Sequence, residues 1–360
     1  MIIGGEHMQT IWYDLATDQV HILDQTRLPH EFEVLSLSNL QDACHAIESM
    51  QVRGAPLIGV TAAYGIYLAL RDDPECLAET CDALAATRPT AVNLQWALQR
   101  CREGLTAVPA ESRAMSALEL AQVMEKEDVA VCEAIGDHGA DLLEQLWLEK
   151  RDTASRLNVL THCNAGALAT VDWGTALATV YKAAARDIPV HVWVDETRPR
   201  NQGAALTCWE LAQADIPHTL IVDNAGGHLM QAGQVDVCVV GSDRTARNGD
   251  VCNKIGTYLK ALAAADNHVP FYVALPLSSI DFNLDAGVNK IEIEERAEAE
   301  VTEIVGRGEA GLLASVRIVP DGVQVSNFGF DVTPARYVTA LITEKGVVEA
   351  STEAISSLLD

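Results

Sequence analysis

Residues 242–258, SDRTARNGDVCNKIGTY, crowd Asp243, Arg244, Arg247, Asn248, Asp250, Asn253 and Lys254 behind an apolar run, VDVCVVG at 235–241. That run has the length and β-branched content of a buried parallel strand. Open α/β sheets place their chemistry among polar groups at the carboxyl ends of such strands. Apolar walls would hold the Asp243 carboxyl protonated near neutrality, which makes it a candidate general acid. A helix N-cap or an ion pair with Arg244 would instead give it a structural task.

Cys163 ends another apolar run, RLNVLTHC, ahead of the small residues NAGALAT. The pattern predicts a helix start there, whose N–H groups and dipole would lower the thiol pKa and make Cys163 a candidate acid or base. Cys208, Cys238 and Cys252 read as inert small hydrophobes. In MQVRGAPLIG, Arg53 precedes Gly54, Ala55 and a helix, a pattern that suits phosphate bound by guanidinium and backbone N–H together. Arg88 in TRPTAVNLQWAL repeats it, with Pro89 at the helix start. With Asn253 and Lys254 these residues suggest a phosphate held between two halves of the chain. No metal site is expected, because the ten histidines fall in no HxxxH spacing and His162 lacks partners nearby in sequence. GxSxG is absent, so Ser-His-Asp hydrolysis is not expected.

The elements that must position these residues change character along the chain. Residues 10–23 read as a short strand region. Residues 37–50, 56–71, 91–105 and 117–148 carry apolar residues at spacings of three and four and read as helices, and the acidic residues of 72–79 as a solvated connection. From residue 157, RLNVLTHC, PVHVWVDE, PHTLIVD, VDVCVVG and PFYVALP alternate with helical segments. Five such strands predict a doubly wound parallel sheet with right-handed crossovers, Rossmann-like in topology. GxGxxG is missing after the first strand, so no dinucleotide is implied. The predicted fold is α/β, with a mainly helical domain with a small β region at 1–150 and a Rossmann-like domain at 151–360. Residues 347–360 read as a terminal helix.

Composition narrows the function. A net charge of -26 argues against a nucleic-acid surface and against anionic membranes, and 49% hydrophobic residues can furnish two cores. Nine cysteines, with no CxxC pair, fit a reducing compartment, and no signal peptide or transmembrane run is visible, so a cytoplasmic protein is expected.

Seven segments, LDQTRLP, VRGAPLIG, TRPTAVNL, THCNAGALAT, VDETRPRNQGAALT, GSDRTARNGDVCNKIGTY and FDVTP, together resemble the methylthioribose-1-phosphate isomerase family. That family lies in the superfamily of the translation initiation factor 2B regulatory subunits. The resemblance runs in order from residue 11 to residue 334. It implies an aldose–ketose isomerase of methionine salvage that converts 5-methylthioribose 1-phosphate to 5-methylthioribulose 1-phosphate with no metal or organic cofactor, as a homodimer. By motif match Cys163 and Asp243 are the catalytic pair, and Arg53, Gly54, Ala55, Arg88, Gln202, Asn253 and Lys254 contact the substrate. Ser242, Cys252 and the sequence NFGF before DVTP depart from the family's usual residues beside the site.

The chemistry suits these residue types. Opening a sugar ring locked by an anomeric phosphate needs a proton on the ring oxygen, a task for a neutral Asp243. Hydrogen then moves from C2 to C1, either as a proton through an enediol with Cys163 assisting or as a hydride. Isomerases of ribose 1,5-bisphosphate or 5-deoxyribose 1-phosphate would share the pair, and a non-catalytic regulatory subunit is the further alternative.

Overall fold

The computed structural model describes residues 1–359. The chain opens with the two-residue strands β1 (Ile2–Ile3) and β2 (Glu6–His7), then the antiparallel meander β3 (Ile11–Asp14), β4 (Gln19–Leu23) and β5 (Val34–Leu37). Five helices follow: α1 (Leu40–Glu48), α2 (Ala55–Asp72), α3 (Leu77–Thr87), α4 (Val92–Leu105) and α5 (Ala110–Lys150). In α2 every residue from Leu57 to Leu70 is buried, as a helix apolar on all sides requires. The connection expected over 72–79 is shorter than that span, because Leu77, Cys81 and Leu84 repeat at helical spacing and bury the inner face of α3.

The second half alternates strand and helix: β6 (Leu157–Thr161), α6 (Ala176–Ala185), β7 (Val190–Asp195), α7 (Cys208–Gln213), β8 (His218–Ile221), α8 (Ala225–Gln231) and β9 (Val237–Val240). After β10 (Arg244–Ala246) and β11 (Val251–Lys254) come α9 (Thr257–Asp266), β12 (Phe271–Ala274), β13 (Ile280–Asp281), α10 (Ala299–Thr302), the hairpin β14 (Glu303–Arg307) with β15 (Leu313–Arg317), and β16 (Phe330–Thr333). The chain ends in β17 (Ala340–Thr343), β18 (Gly346–Val348) and α11 (Thr352–Ser356).

The large sheet has the order β18-β17-β12-β9-β6-β7-β8, all parallel except β18. Alternate residues of β9 face opposite layers, as strand geometry demands. Val237 and Val239 pack with Val159, Val192 and residues of α5 and α6, whereas Cys238 and Val240 pack with Leu160, Val273 and residues of α8 and α9. The five expected strands are joined by β17, a sixth parallel strand that sequence reading missed because its three apolar residues and a threonine carry no period. The predicted terminal helix shrinks to α11 and one 3-10 turn, since residues 346–348 pair with β17 instead.

A second sheet, β13-β10-β11-β16, rises from the carboxyl edge of the first. Its centre is the hairpin β10–β11, closed at Asn248-Gly249 with Gly249 at φ 88°. The long helix α5 joins both halves: Ala117, Ala121 and Met124 lie in the helical core, Ile135, Ala140 and Leu143 in the core beneath the sheet. Its contact with α6 is close, for a Cβ on Gly139 would run into the side chain of the buried Thr179. Gly139→Ala is therefore expected to destabilise the protein by about 1–3 kcal/mol through overpacking, outweighing a helix-propensity gain of about 1 kcal/mol. The midpoint of urea unfolding checks the sign.

Candidate active site

Cys163 follows β6 in a left-handed conformation, φ 67°, which is uncommon for a residue with a side chain. Two hydroxyls hold it there. Its N–H donates to Thr197 Oγ1 at 2.8 Å, and its carbonyl accepts from Thr207 Oγ1 at 2.7 Å. The helix expected after it is absent, replaced by a 3-10 turn over Ala167–Ala169. No dipole therefore acts on the thiol as expected from sequence, and burial pushes its pKa up, partly offset by the cations of Arg53 and Lys254.

Asp243 sits at the base of the β10–β11 hairpin, its N–H donating to the Cys252 carbonyl at 3.0 Å. It caps no helix, and Arg244 turns away to Asp281, with Nε 3.2 Å from Oδ2. Burial raises the Asp243 carboxyl above the ordinary range, opposed by Lys254, Arg88 and Arg53. Asn253 and Lys254 occupy the end of β11. The Asn253 amide donates to Thr257 Oγ1 at 3.1 Å, and Lys254 Nζ lies 4.9 Å from the centre of the Phe330 ring. Lys254 has no ion pair among the described residues, and burial lowers its pKa. Arg247 reaches only Ser356, so the two arginines that stand out in sequence fasten the hairpin.

The helical half closes the site. Arg53 donates from Nη1 to Asn164 Oδ1 at 2.7 Å and from Nη2 to the Asn164 carbonyl at 2.6 Å. Gly54 begins α2 at φ 92°, pressed against Ala169 so closely that a Cβ would strike its backbone. Arg88 Nη2 contacts Glu294 Oε2 at 3.1 Å, while its Nε is buried without a partner. Gln202 Oε1 is buried and unpartnered as well. At a cavity wall, donors and acceptors left without a protein partner are free to bond a polar ligand. Cys163, Asp243, Arg53, Gly54, Ala55, Arg88, Gln202, Asn253 and Lys254 all line one cavity that is partly open to solvent.

Sequence reasoning missed the residues behind these. Glu210 accepts from Asn164 Nδ2 at 2.8 Å, the Ala167 and Leu168 N–H groups at 2.7 and 3.1 Å, and the Tyr181 hydroxyl at 2.8 Å. Nothing in LTCWELAQ singles it out. Glu294 lies 206 positions from Arg88, beyond any local pattern. His162, Asp195 and Asp223 cluster at metal-binding distances, but Lys260 Nζ already stands 3.1 Å from Asp195 Oδ2. Both Asp223 oxygens accept backbone N–H groups, from Thr197 and Arg198. The chain supplies its own cation there.

The raised thiol gives a pH test. Alkylation of Cys163, followed by mass spectrometry of its peptide, is expected to accelerate with pH about a midpoint above that of a free cysteine. Lys254→Met should move the midpoint higher, since a cation that favours thiolate is removed. A midpoint below the free-cysteine value would refute the burial argument.

Comparison with known proteins agrees with this architecture. The chain is 58% identical over 360 residues to a protein of Methylorubrum extorquens named methylthioribose-1-phosphate isomerase, with 99% of this chain and 98% of that protein covered. The crystal structure of 5-methylthioribose 1-phosphate isomerase from Pyrococcus horikoshii superposes with a TM-score of 0.81 at 37% identity, covering 98% of this chain and 96% of that one. A structure from A. fulgidus described as translation initiation factor eIF-2B, subunit delta, gives the same TM-score at 39% identity, covering 98% and 99%. The model of the initiation factor 2 subunit family matches residues 51–350, the span that holds every residue of the cavity but Met50, and the chain belongs to that family.

Proposed function

We propose that the chain is an aldose–ketose isomerase that converts 5-methylthioribose 1-phosphate to 5-methylthioribulose 1-phosphate, with Cys163 and Asp243 as its catalytic pair. The carrying observation is their enclosure in one cavity with Arg53, Arg88 and Lys254, where burial drives both toward the protonated form. The naming of the Methylorubrum and Pyrococcus relatives supports the substrate. Arg53, Arg88 and Lys254 neutralise one phosphate, with Gly54, Ala55, Gln202 and Asn253 completing its sugar and phosphate contacts. A bisphosphate would need further lysines or arginines, and the lining has no others.

The Asp243 proton passes to the ring oxygen as the bond from that oxygen to C1 breaks, leaving positive charge on C1 and the phosphate oxygen. A hydride then moves from C2 to C1, and the C2 hydroxyl proton returns to the Asp243 carboxylate. Atoms and charges balance without a cofactor. The alternative, removal of the C2 proton by the Cys163 sulfur, needs a thiolate that burial disfavours, so the hydride route is preferred. Cys163 then acts as a neutral thiol wall that keeps water from the cation.

We read residues 1–150 and 151–360 as two domains that clasp the cavity. We also propose a homodimer, as the resemblance implies, in the cytoplasm. No helix among the described residues is long and apolar enough to cross a membrane.

NMR of products formed in deuterated water from methylthioribose, deoxyribose and ribose-5-phosphate 1-phosphates reads substrate and route together. The methylthio sugar is expected to react best, with no solvent deuterium at C1. Deuterium at C1 would replace the hydride route by the enediol, and turnover of none of the three would favour a regulatory subunit. Asp243→Asn is expected to lower kcat at least about a hundredfold with substrate still bound, the scale of lost acid–base catalysis, and Cys163→Ser to lower it too by bringing a polar hydroxyl and water to the cation. Arg53→Ala or Lys254→Ala should chiefly raise KM, as measured by steady-state kinetics.

A further inference from the structure

His162 precedes Cys163, and its side chain is wholly buried. Its Nδ1 lies 2.8 Å from Asp195 Oδ2, at the end of β7, and its Nε2 lies 2.8 Å from the carbonyl oxygen of Ile255, the residue after Lys254. We propose that this imidazole is a positioning residue, a strut between the strand end that carries Cys163 and the one that carries Lys254. The proposal rests on the isomerase reading for its kinetic consequence and on geometry alone for the strut.

A backbone carbonyl has no proton to give, so Nε2 is the donor to Ile255. Nδ1 is joined by a hydrogen bond to Asp195 Oδ2, which also takes the Lys260 ammonium at 3.1 Å. The other charges around it are bound elsewhere. Asp331 accepts from the Gly256 and Tyr258 N–H groups at 2.7 and 3.0 Å, and Asp223 from Thr197 and Arg198. Lys260 also donates to the Asp223 carbonyl. The fit leaves no slack, for at Gly256, φ 102°, an added Cβ would lie 3.0 Å from the ring's Cε1 and Nε2. Because the ring reaches a backbone atom beside Lys254, it sets the separation across which thiol and ammonium face the cavity. Arg53 and Arg88 are held by Asn164 and Glu294 instead, so the strut acts through Cys163 and Lys254.

The test joins spectroscopy to kinetics. In ¹⁵N spectra of histidine-labelled parent protein under assay conditions, Nε2 of His162 is expected to bear a proton held in a hydrogen bond. His162→Gln, checked by circular dichroism for folding, is expected to lose about tenfold or more in kcat, the scale of a small misplacement, and to raise KM as Lys254 shifts with it. A bare Nε2 in the parent, or a folded His162→Gln variant with the parent's kcat, overturns the proposal. If that variant does not fold, Asp195→Asn takes its place: a shifted Nδ1 signal with a lower kcat supports the strut, and an unchanged spectrum and kcat overturn it. A parent that turns over no sugar phosphate would sink the isomerase reading, and the ¹⁵N spectrum and Cys163 alkylation rates of parent and variant would still decide the strut.

Discussion

The Glu210 carboxylate gives the loop after β6 its shape. Four donors converge on it, two of them backbone N–H groups of the 3-10 turn, and it packs so close to Gly166 that no side chain fits there. Burial raises its pKa while the four hydrogen bonds oppose the rise, so the loop is tied to a carboxylate that survives burial only when fully bonded. Asn164 passes the constraint on: its amide donates to Glu210, and its two oxygens receive the Arg53 guanidinium. Thr207 accepts from the same amide and donates to the Cys163 carbonyl. One buried charge thus orients the thiol loop and the arginine that reaches across from the helical half.

Around this anchor the protein economises on cations. The chain has 25 lysines and arginines against 51 carboxylates, and many of the basic residues are neutralised on the surface, as in the pairs Arg186–Asp141 and Arg102–Asp82. Lys254 is treated differently, buried against Phe330 with no ion pair among the described residues. A desolvated cation interacts strongly with an incoming anion because little water screens it. The acidic exterior discourages nucleic acids and anionic surfaces.

Residue types were legible in the sequence where local pattern reports them. Continuous β-branched runs such as VDVCVVG declare a buried parallel strand, strand ends point to Cys163 and Asp243, helix starts to Arg53 and Arg88, and the family resemblance alone to Gln202; all nine predicted site residues fall around one cavity. The environment of Cys163 was not legible, because lowering its thiol required a helix and the chain instead turns at Gly166 to accommodate a carboxylate 44 positions away. The β10–β11 hairpin did carry a readable sign, the Asn248-Gly249 pair, but its polar strands hid it behind the look of a loop. Long-range partners such as Arg88 with Glu294, or His162 with Ile255, leave no trace in any window of sequence.

The 41 residues of α5 run about 60 Å at the rise of a regular helix, and they belong to two hydrophobic cores at once. Melting the turns that serve one core strips the other of Ile135, Ala140 and Leu143, so disorder in either half spreads through the shared helix. The helix makes denaturation of the two halves a common event, and a protease meets a single cooperative barrier.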